Sequence, residues 1–548
     1  VNGKDQALCR VRNGAVARVF RVDGLALGDL AWDAIRERVL AVAEDRGAGT
    51  QALVAIGTDG CLETLASGAD FYAAPRLSPD GSRLAWLEWS MPGMPWDATR
   101  LILAQVSATG KIHDARCVAG GVGESLAQPE WSPEGVLHVV SDCADGFWNL
   151  HRVCDAGLVP LRRVHAECAR PAFVFAQRMY AFTPEGGLVL AEAADGLWRC
   201  LEGRREGGEF TRLLGAQTEV AGLHAGAAGT AVLAGGPATP LTLFVRPRGA
   251  AEFHAAATSL DLTLDPDFVT RPEPLRFTTD NGGEALGLYF PPAHPHERLA
   301  GPPPVRVRCH GGPTAAAASA LDPKTLYWTS RGFAVLELNY RGSTGYGRAY
   351  REALYGKWGV ADAEDACTAA RALAARGLAD PARMTIAGSS AGGLTVLNAL
   401  VGTSPYAAGA SYYGVADLTG LAETTHRFES HYGEQLVGPW PAARAIYEAR
   451  SPLHRVAEIA CPVIFFQGLD DPVVPPAQSE DMARALAARG ITVALETFPG
   501  ERHGFRRLET VARTLTAELA FYAHGLDLVP NENLPELDYL PPFPRSRR

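Results

Sequence analysis

The sequence has no apolar run near the roughly 18 residues needed to span a bilayer. Its first residues, Val1-Asn-Gly-Lys-Asp, offer neither the charged flank nor the apolar core of a signal peptide. No C-x-x-C pair occurs. The ten cysteines (9, 61, 117, 143, 154, 168, 200, 309, 367 and 461) are scattered, which argues against a disulfide scaffold and predicts a reduced, cytoplasmic protein. There is no Lys/Arg-rich block, and a formal charge of −10 with a pI near 5.8 argues against a polyanion-binding surface. Neither nucleic acid nor membrane is expected as a partner, and self-association as a homo-oligomer is left open. Walker-type and dinucleotide fingerprints are missing from the places where they would work, so no cofactor is implied. The initiator Met is absent too, so the chain is expected to be processed, trimmed or a fragment.

What is present is an ordinary globular composition, 47% apolar and 20% charged over 548 residues, with length enough for several domains. Up to about residue 260 helical periodicity is scarce, and short β-like runs alternate with Gly, Pro and Asp turns. A unit recurs in Leu77-Ser-Pro-Asp-Gly81, Trp131-Ser-Pro-Glu-Gly135 and Phe182-Thr-Pro-Glu-Gly186, each between two strand-like runs. A second echo joins Asp145-Gly-Phe-Trp148 to Asp195-Gly-Leu-Trp198, and weaker copies begin near Trp32 and His224. A period of about 40–50 residues in an all-β segment predicts a propeller with one four-stranded blade per unit. Five blades are expected over 28–260, plus part of another in 1–27, with the Trp and Phe residues as blade core. Five and a fraction leave the ring short of obvious closure, so either a blade has diverged or N-terminal sequence is missing. The absent Met favours the second.

Around 262–300 prolines cluster and the texture changes. Apolar strand runs at 305–309, 333–339, 384–387, 408–413, 463–467 and 493–498 then alternate with helical runs at 361–376, 394–401, 477–488 and 507–524. Continuous apolar strands between helices predict a parallel sheet covered on both faces. The expected architecture is an all-β propeller over 1–262 and an α/β-hydrolase domain with a mostly parallel sheet over 263–530. A Pro-rich polar tail fills 531–548.

Gly388-Ser-Ser-Ala-Gly392 reads G-x-S-x-G between a strand and a helix, where small neighbours let a serine sit in a tight turn with its hydroxyl exposed. The register selects Ser390, since Ser389 would need glycine where Ala387 and Ala391 stand. The pentapeptide alone suits a structural turn or a phosphate cradle equally well. Nucleophilic catalysis also needs a base beside the serine and an acid behind the base. Of the five histidines that follow, His503 hangs from a sheet end in the glycine-flanked loop Pro499-Gly-Glu-Arg-His-Gly-Phe505. His524 ends a helix, and His426, His431 and His454 fall in a polar helical stretch. Asp471 in Gly468-Leu-Asp-Asp-Pro-Val-Val-Pro475 is the acid of choice, with Asp470 as its competitor and Asp417 a distant one. Oxyanion donors are expected from Gly312, in His310-Gly-Gly-Pro313, and from the N–H of Ala391. Tyr412, Tyr413 and 415–418 are candidate pocket walls, though core packing is the plainer role for each. Cys309-His310 and His294-Pro-His296 lack partner ligands, so no metal site is expected.

With these residues in place, the chain resembles the prolyl oligopeptidase family of serine peptidases, and most closely its acylaminoacyl-peptidase and dipeptidyl-aminopeptidase-like branch. The resemblance rests on His310-Gly-Gly-Pro313, Asn339-Tyr-Arg-Gly-Ser-Thr-Gly-Tyr-Gly347, Trp358-Gly-x-x-Asp362, 388–393, 468–475 and 500–505. Phe71-Tyr-Ala-Ala-Pro and Met94-Pro-Trp-Asp97 add to it in the propeller. It implies hydrolysis of short peptides through an acyl-enzyme, with release of acylaminoacyl or dipeptidyl units and a propeller that restricts access. His310 stands where prolyl oligopeptidase itself uses an oxyanion-hole tyrosine, which points to backbone donors. The double-Glu motif of dipeptidyl peptidases is not apparent. The rival readings are a carboxylesterase with the same triad and a propeller interaction module carrying a decayed hydrolase.

Overall fold

In the computed structural model, which describes every residue except 2, 205–207, 262–263, 280–281, 298 and 541–548, the three Pro-Gly repeats fold alike. Gly81, Gly135 and Gly186 donate their N–H groups to the carbonyl oxygens of Ser78, Ser132 and Thr183, at 2.8, 2.9 and 3.0 Å. Each glycine has a left-handed φ (68°, 77° and 81°), which an L side chain would strain. The turns connect the first two strands of successive blades: Phe71–Leu77 to Arg83–Trp89, Leu126–Trp131 to Leu137–Ser141, and Tyr180–Phe182 to Gly187–Ala194.

Five four-stranded antiparallel sheets span 25–67, 71–121, 126–160, 180–213 and 219–258, preceded by the hairpin Leu8–Arg12/Ala15–Phe20. The fold is the expected propeller, five blades and a two-stranded piece. Trp86 and Trp198 are buried in blade cores as the repeat pattern implies, while Trp148 is buried at the junction with the second domain. Trp32 differs: it is 55% exposed, so one of the weaker repeat copies carries its tryptophan on the surface.

The second domain is built on a nine-stranded sheet, in the order Glu273–Thr278, Glu284–Phe290, Ala334–Asn339, Val305–Cys309, Met384–Ser389, Ala408–Tyr412, Val463–Gly468, Val493–Phe498, Tyr539–Leu540. Neighbours from Ala334–Asn339 through Val493–Phe498 are parallel. Antiparallel strands finish both edges. The edge strands carry charge or proline and so lack the continuous apolar run that identified the central ones. Tyr539–Leu540 falls in the stretch expected to be tail, yet it pairs with Val493–Phe498; 541–548 lie outside the described residues. The helix after Ser390 is Ala391–Ala399 and starts earlier than its apolar periodicity suggests. Gly392 and Gly393 are poor helix formers, and packing against the sheet overrides that preference. Among the described residues no helix is long and apolar enough to cross a membrane.

The domains meet through the second set of repeats. The Asp-Gly turn at Gly146 accepts the Arg348 N–H (2.7 Å), and a Cβ at Gly196 would lie 2.7 Å from the Tyr346 hydroxyl. Between these contacts Asp142 pairs with Arg348 (2.8 Å) and with Arg351 (2.9 Å). The Arg351 guanidinium lies over Trp148, 4.4 Å from the ring centroid, and both side chains of the Arg351–Asp142 pair are sealed from solvent. Glu167, also buried, accepts N–H groups from Trp148 (2.7 Å) and Gly347 (2.9 Å) and thus bridges the domains. Burial raises its carboxyl to about 7, against the pull of Arg351 and the two amides.

Stripping one partner from a sealed ion pair leaves an uncompensated charge. Asp142→Ala is therefore expected to destabilise the protein by about 3–5 kcal/mol in urea unfolding. Glu167 titrates higher in the folded state than in the unfolded one. Its stabilising contribution is complete below its ordinary value of 4.5 and is lost as pH rises through about 7. A stability–pH series on Glu167→Gln is expected to lack that loss.

Candidate active site

Ser390 occupies the turn between the central strand Met384–Ser389 and the helix Ala391–Ala399, at φ 56° and ψ −120°. A non-glycine residue there stores about 1–3 kcal/mol of strain, sustained only where the surroundings over-determine it. Here backbone crowding does so. A Cβ on Gly388 would lie 2.3 Å from Gly392 O, one on Gly392 2.2 Å from Cys309 O, and one on Gly393 2.4 Å from Gly414 Cα. The Ser390 N–H donates to Tyr412 O (3.0 Å) and its carbonyl accepts from Gly393 N–H (2.9 Å), which fixes the turn to the next strand and to its own helix.

His503 lies in the loop after Val493–Phe498, with its Nε2 2.9 Å from Ser390 Oγ and its Nδ1 2.8 Å from Asp471 Oδ2. A carboxylate only accepts, so Nδ1 carries the proton and Nε2 is free to receive one from the serine. The other Asp471 oxygen accepts the N–H groups of Val473 (2.8 Å) and Val474 (3.0 Å), and the side chain is fully sealed. Asp470 is exposed, and Asp417 caps the helix Leu418–Thr424, accepting from the N–H groups of Thr419 (2.9 Å) and Gly420 (3.2 Å). Neither competes for His503. His426 and His431 instead face Glu429 (3.5 Å) and Glu434 (2.7 Å). Glu501, buried in the same loop, accepts the N–H groups of Arg506 and Arg507 (3.2 and 3.0 Å) and holds the loop's shape.

The loop after Val305–Cys309 closes the other side. A Cβ on Gly311 would be 3.1 Å from Ser389 O and 3.3 Å from Ser390 Cβ, so a side chain there would crowd the serine. Gly312 (φ 128°) and Ala391 line the same cleft as Ser390. His310 stacks on Tyr340 (4.5 Å between centroids) and contacts Gly311 O through Nδ1 and Ser343 Oγ through Nε2, both at 2.8 Å. Burial lowers its pKa to about 4, so the ring is neutral near pH 7. Its role here is to brace the glycine loop. Cys309 is buried next to it, and burial pushes its thiol well above the ordinary range. Among the described residues no group of three or more His, Cys, Asp and Glu side chains could hold a metal.

A cleft of about 80 Å³ opens beside Ser390, walled by Trp358, Val415, Leu418, Tyr432, Trp440 and Val474, with Glu429 on its lining. Val415 and Leu418 come from the stretch expected to form a wall. Tyr412 does not face the cleft: its hydroxyl bonds to Glu518 below the sheet. Tyr413 packs edge-on against His503, with centroids 4.9 Å apart. Glu429, Tyr432 and Trp440 come from 425–447, where one-turn helices (Arg427–Glu429, Tyr432–Leu436) and loops are too short for periodicity to mark out. A second chamber of about 600 Å³ lies between propeller residues, including Trp89, Gln128, Arg170 and Phe173, and the segment His426-Arg-Phe428 of the catalytic domain.

Gly392 has no room for a methyl group. Gly392→Ala is expected to cost about 1–3 kcal/mol in denaturant unfolding through overpacking. It should also lengthen the His503–Ser390 contact, read as slower labelling by a serine-directed phosphonate.

The sequence profile of the Prolyl oligopeptidase family matches residues 319–528, which carry Ser390, Asp471 and His503. Dipeptidyl aminopeptidase BIII of Pseudoxanthomonas mexicana is 32% identical over 214 residues, 38% of this chain and 31% of that protein. Acylamino-acid-releasing enzyme of Arabidopsis thaliana is 29% identical over 221 residues, 38% of this chain and 28% of that protein. The match thus spans under a third of each of these curated relatives. A solved Mycobacterium tuberculosis puromycin-hydrolyzing peptidase superposes over almost the whole chain: TM-score 0.92, 37% identity, 98% of this chain and 85% of that one. At that identity and coverage, and with the family profile matching 319–528, the chain belongs to the prolyl oligopeptidase family.

Proposed function

We propose that this chain is a serine peptidase that cleaves short peptides through an acyl-enzyme. The observation that carries the reading is the unbroken contact series from Ser390 Oγ through His503 to Asp471, at 2.9 and 2.8 Å. Ser390 attacks the scissile carbonyl while His503 Nε2 takes its proton. The imidazolium is held against Asp471, and the oxyanion receives N–H groups from Gly312 and Ala391. As the tetrahedral adduct collapses, His503 passes the proton to the departing amine. Water then enters by the same route and releases the acyl unit.

Short N-terminal units, acylaminoacyl or dipeptidyl, suit a cleft this small beside the serine. The chamber of about 600 Å³ under the propeller supports a gating role, because a folded protein could not thread through it. The ten unpaired cysteines suit a reducing cytoplasm. Puromycin, an aminoacyl amide, is a natural first substrate, given the similar puromycin-hydrolyzing peptidase.

The test is a panel of free and acetylated aminoacyl anilides, dipeptidyl anilides, puromycin and p-nitrophenyl esters. Amide hydrolysis is expected, and ester-only turnover would sink the peptidase reading. Ser390→Ala is expected to abolish both turnover and fluorophosphonate labelling. Asp471→Asn is expected to lower kcat on the order of 10⁴-fold, since an amide there favours the wrong imidazole tautomer.

A further inference from the structure

The helix Leu508–Gly525 packs on the face of the sheet away from the helix Ala391–Ala399, in one apolar layer with Ala387, Ala408 and Phe466. Within that layer it buries a charge, Glu518, fully sealed from solvent. Its two carboxylate oxygens accept from the Arg306 guanidinium at 2.7 and 3.0 Å, and one also accepts the Tyr412 hydroxyl.

These two partners stand on either side of the serine's own strand. The order Val305–Cys309, Met384–Ser389, Ala408–Tyr412 puts Arg306 on one neighbour and Tyr412 on the other. Arg306 is level with Thr385 and Tyr412 with Ser389, so the tie crosses the middle strand on a diagonal. A diagonal tie resists the sliding of one strand past the other. Each end of it leads to the reaction. Beyond Arg306 the strand runs into His310-Gly-Gly312, the loop beside Ser390. The Tyr412 carbonyl accepts the Ser390 N–H at 3.0 Å, and the Tyr412 ring lies 6.4 Å from that of Phe505, two residues past His503.

A sealed ion pair is a poor source of stability, since apolar residues of equal volume often do as well or better. What it can supply is a fixed position, and the positions fixed here are the strand ends around the serine. Building on the acyl-enzyme reading above, we propose that Glu518 is a positioning residue for that chemistry. Through Arg306 and Tyr412 it sets the spacing between the oxyanion loop and the Ser390 turn, although it touches no substrate.

The test uses two variants. Arg306→Met with Glu518→Leu removes both charges and keeps the volume, whereas Tyr412→Phe cuts one arm and leaves the ion pair. The double variant is expected to unfold in urea at or above the wild-type midpoint. Its kcat on phenylalanyl anilide and its rate of fluorophosphonate labelling at Ser390 should both fall about 10–100-fold, the effect of a misplacement near 1 Å. KM should stay within about threefold, because the lost contact acts on the transition state. Loss of packing alone would instead lower the urea midpoint and leave kcat of the folded protein unchanged. Tyr412→Phe should fall between the double variant and wild type. A folded double variant within about threefold of wild type in kcat and labelling rate overturns the proposal. If the double variant does not fold, Tyr412→Phe decides: labelling at the wild-type rate overturns the proposal and slower labelling supports it. A wild type that turns over only esters sinks the peptidase reading alone, because the labelling rates still decide this one.

Discussion

The site depends on how closely backbone approaches backbone around Ser390. Carbonyls from one strand end, a glycine pair at a helix start and Gly414 beyond the next strand lie where no Cβ could fit. That crowding pins an L-residue at φ 56°, lifts its hydroxyl out of the sheet and presses the Gly311–Gly312 loop against it. The three glycines are therefore structural in cause and catalytic in consequence. Asp471 and His503 hang from the ends of the neighbouring parallel strands Val463–Gly468 and Val493–Phe498, so the register of the sheet brings them to the same rim.

Much of this was legible in the sequence because it is periodic or local. The propeller showed in its Ser/Thr-Pro-x-Gly turns, whose glycines need positive φ, and the central strands showed as continuous apolar runs. Ser390 was readable from register, and His503 from its glycine-flanked loop at a strand end. The geometry also separates Asp471 from Asp470, which sequence could rank only by loop pattern: one is sealed against two amides and the other faces solvent. The edge strands were not readable, since Glu273–Thr278 carries charge and proline and is mostly exposed, and Glu284–Phe290 opens on a charge and is broken by a glycine. Nor were Glu429, Tyr432 and Trp440, which converge on the cleft from one-turn helices and loops too short to show a period. His310 drew notice as a metal candidate and as the oxyanion tyrosine's replacement. Its bracing contacts with Ser343 and Tyr340 depend on a fold that brings distant loops together.

The segment 340–351 serves both domains. Tyr340 and Ser343 hold His310 and with it the glycine loop beside Ser390. Gly347, Arg348 and Arg351 reach Glu167, Gly146 and Asp142 in the propeller. The chamber wall at 426–428 faces the propeller from the other side of the site, where Arg427 lies over Phe71 and contacts Asp70 at 3.4 Å.

These two contact zones differ in what it takes to part them. Separating Asp142 from Arg351 would strand charges that have no access to water, at several kcal/mol. Separating Arg427 from Asp70 releases groups already 28% and 39% exposed, which water can take over at once. The ion pair at 340–351 is therefore the costlier of the two to break, and the 70/427 side leans instead on the Phe71 ring and the Asp70 carbonyl. The costly pair thus sits in the same segment that braces His310 and the glycine loop beside Ser390, while the more exposed pair borders the chamber.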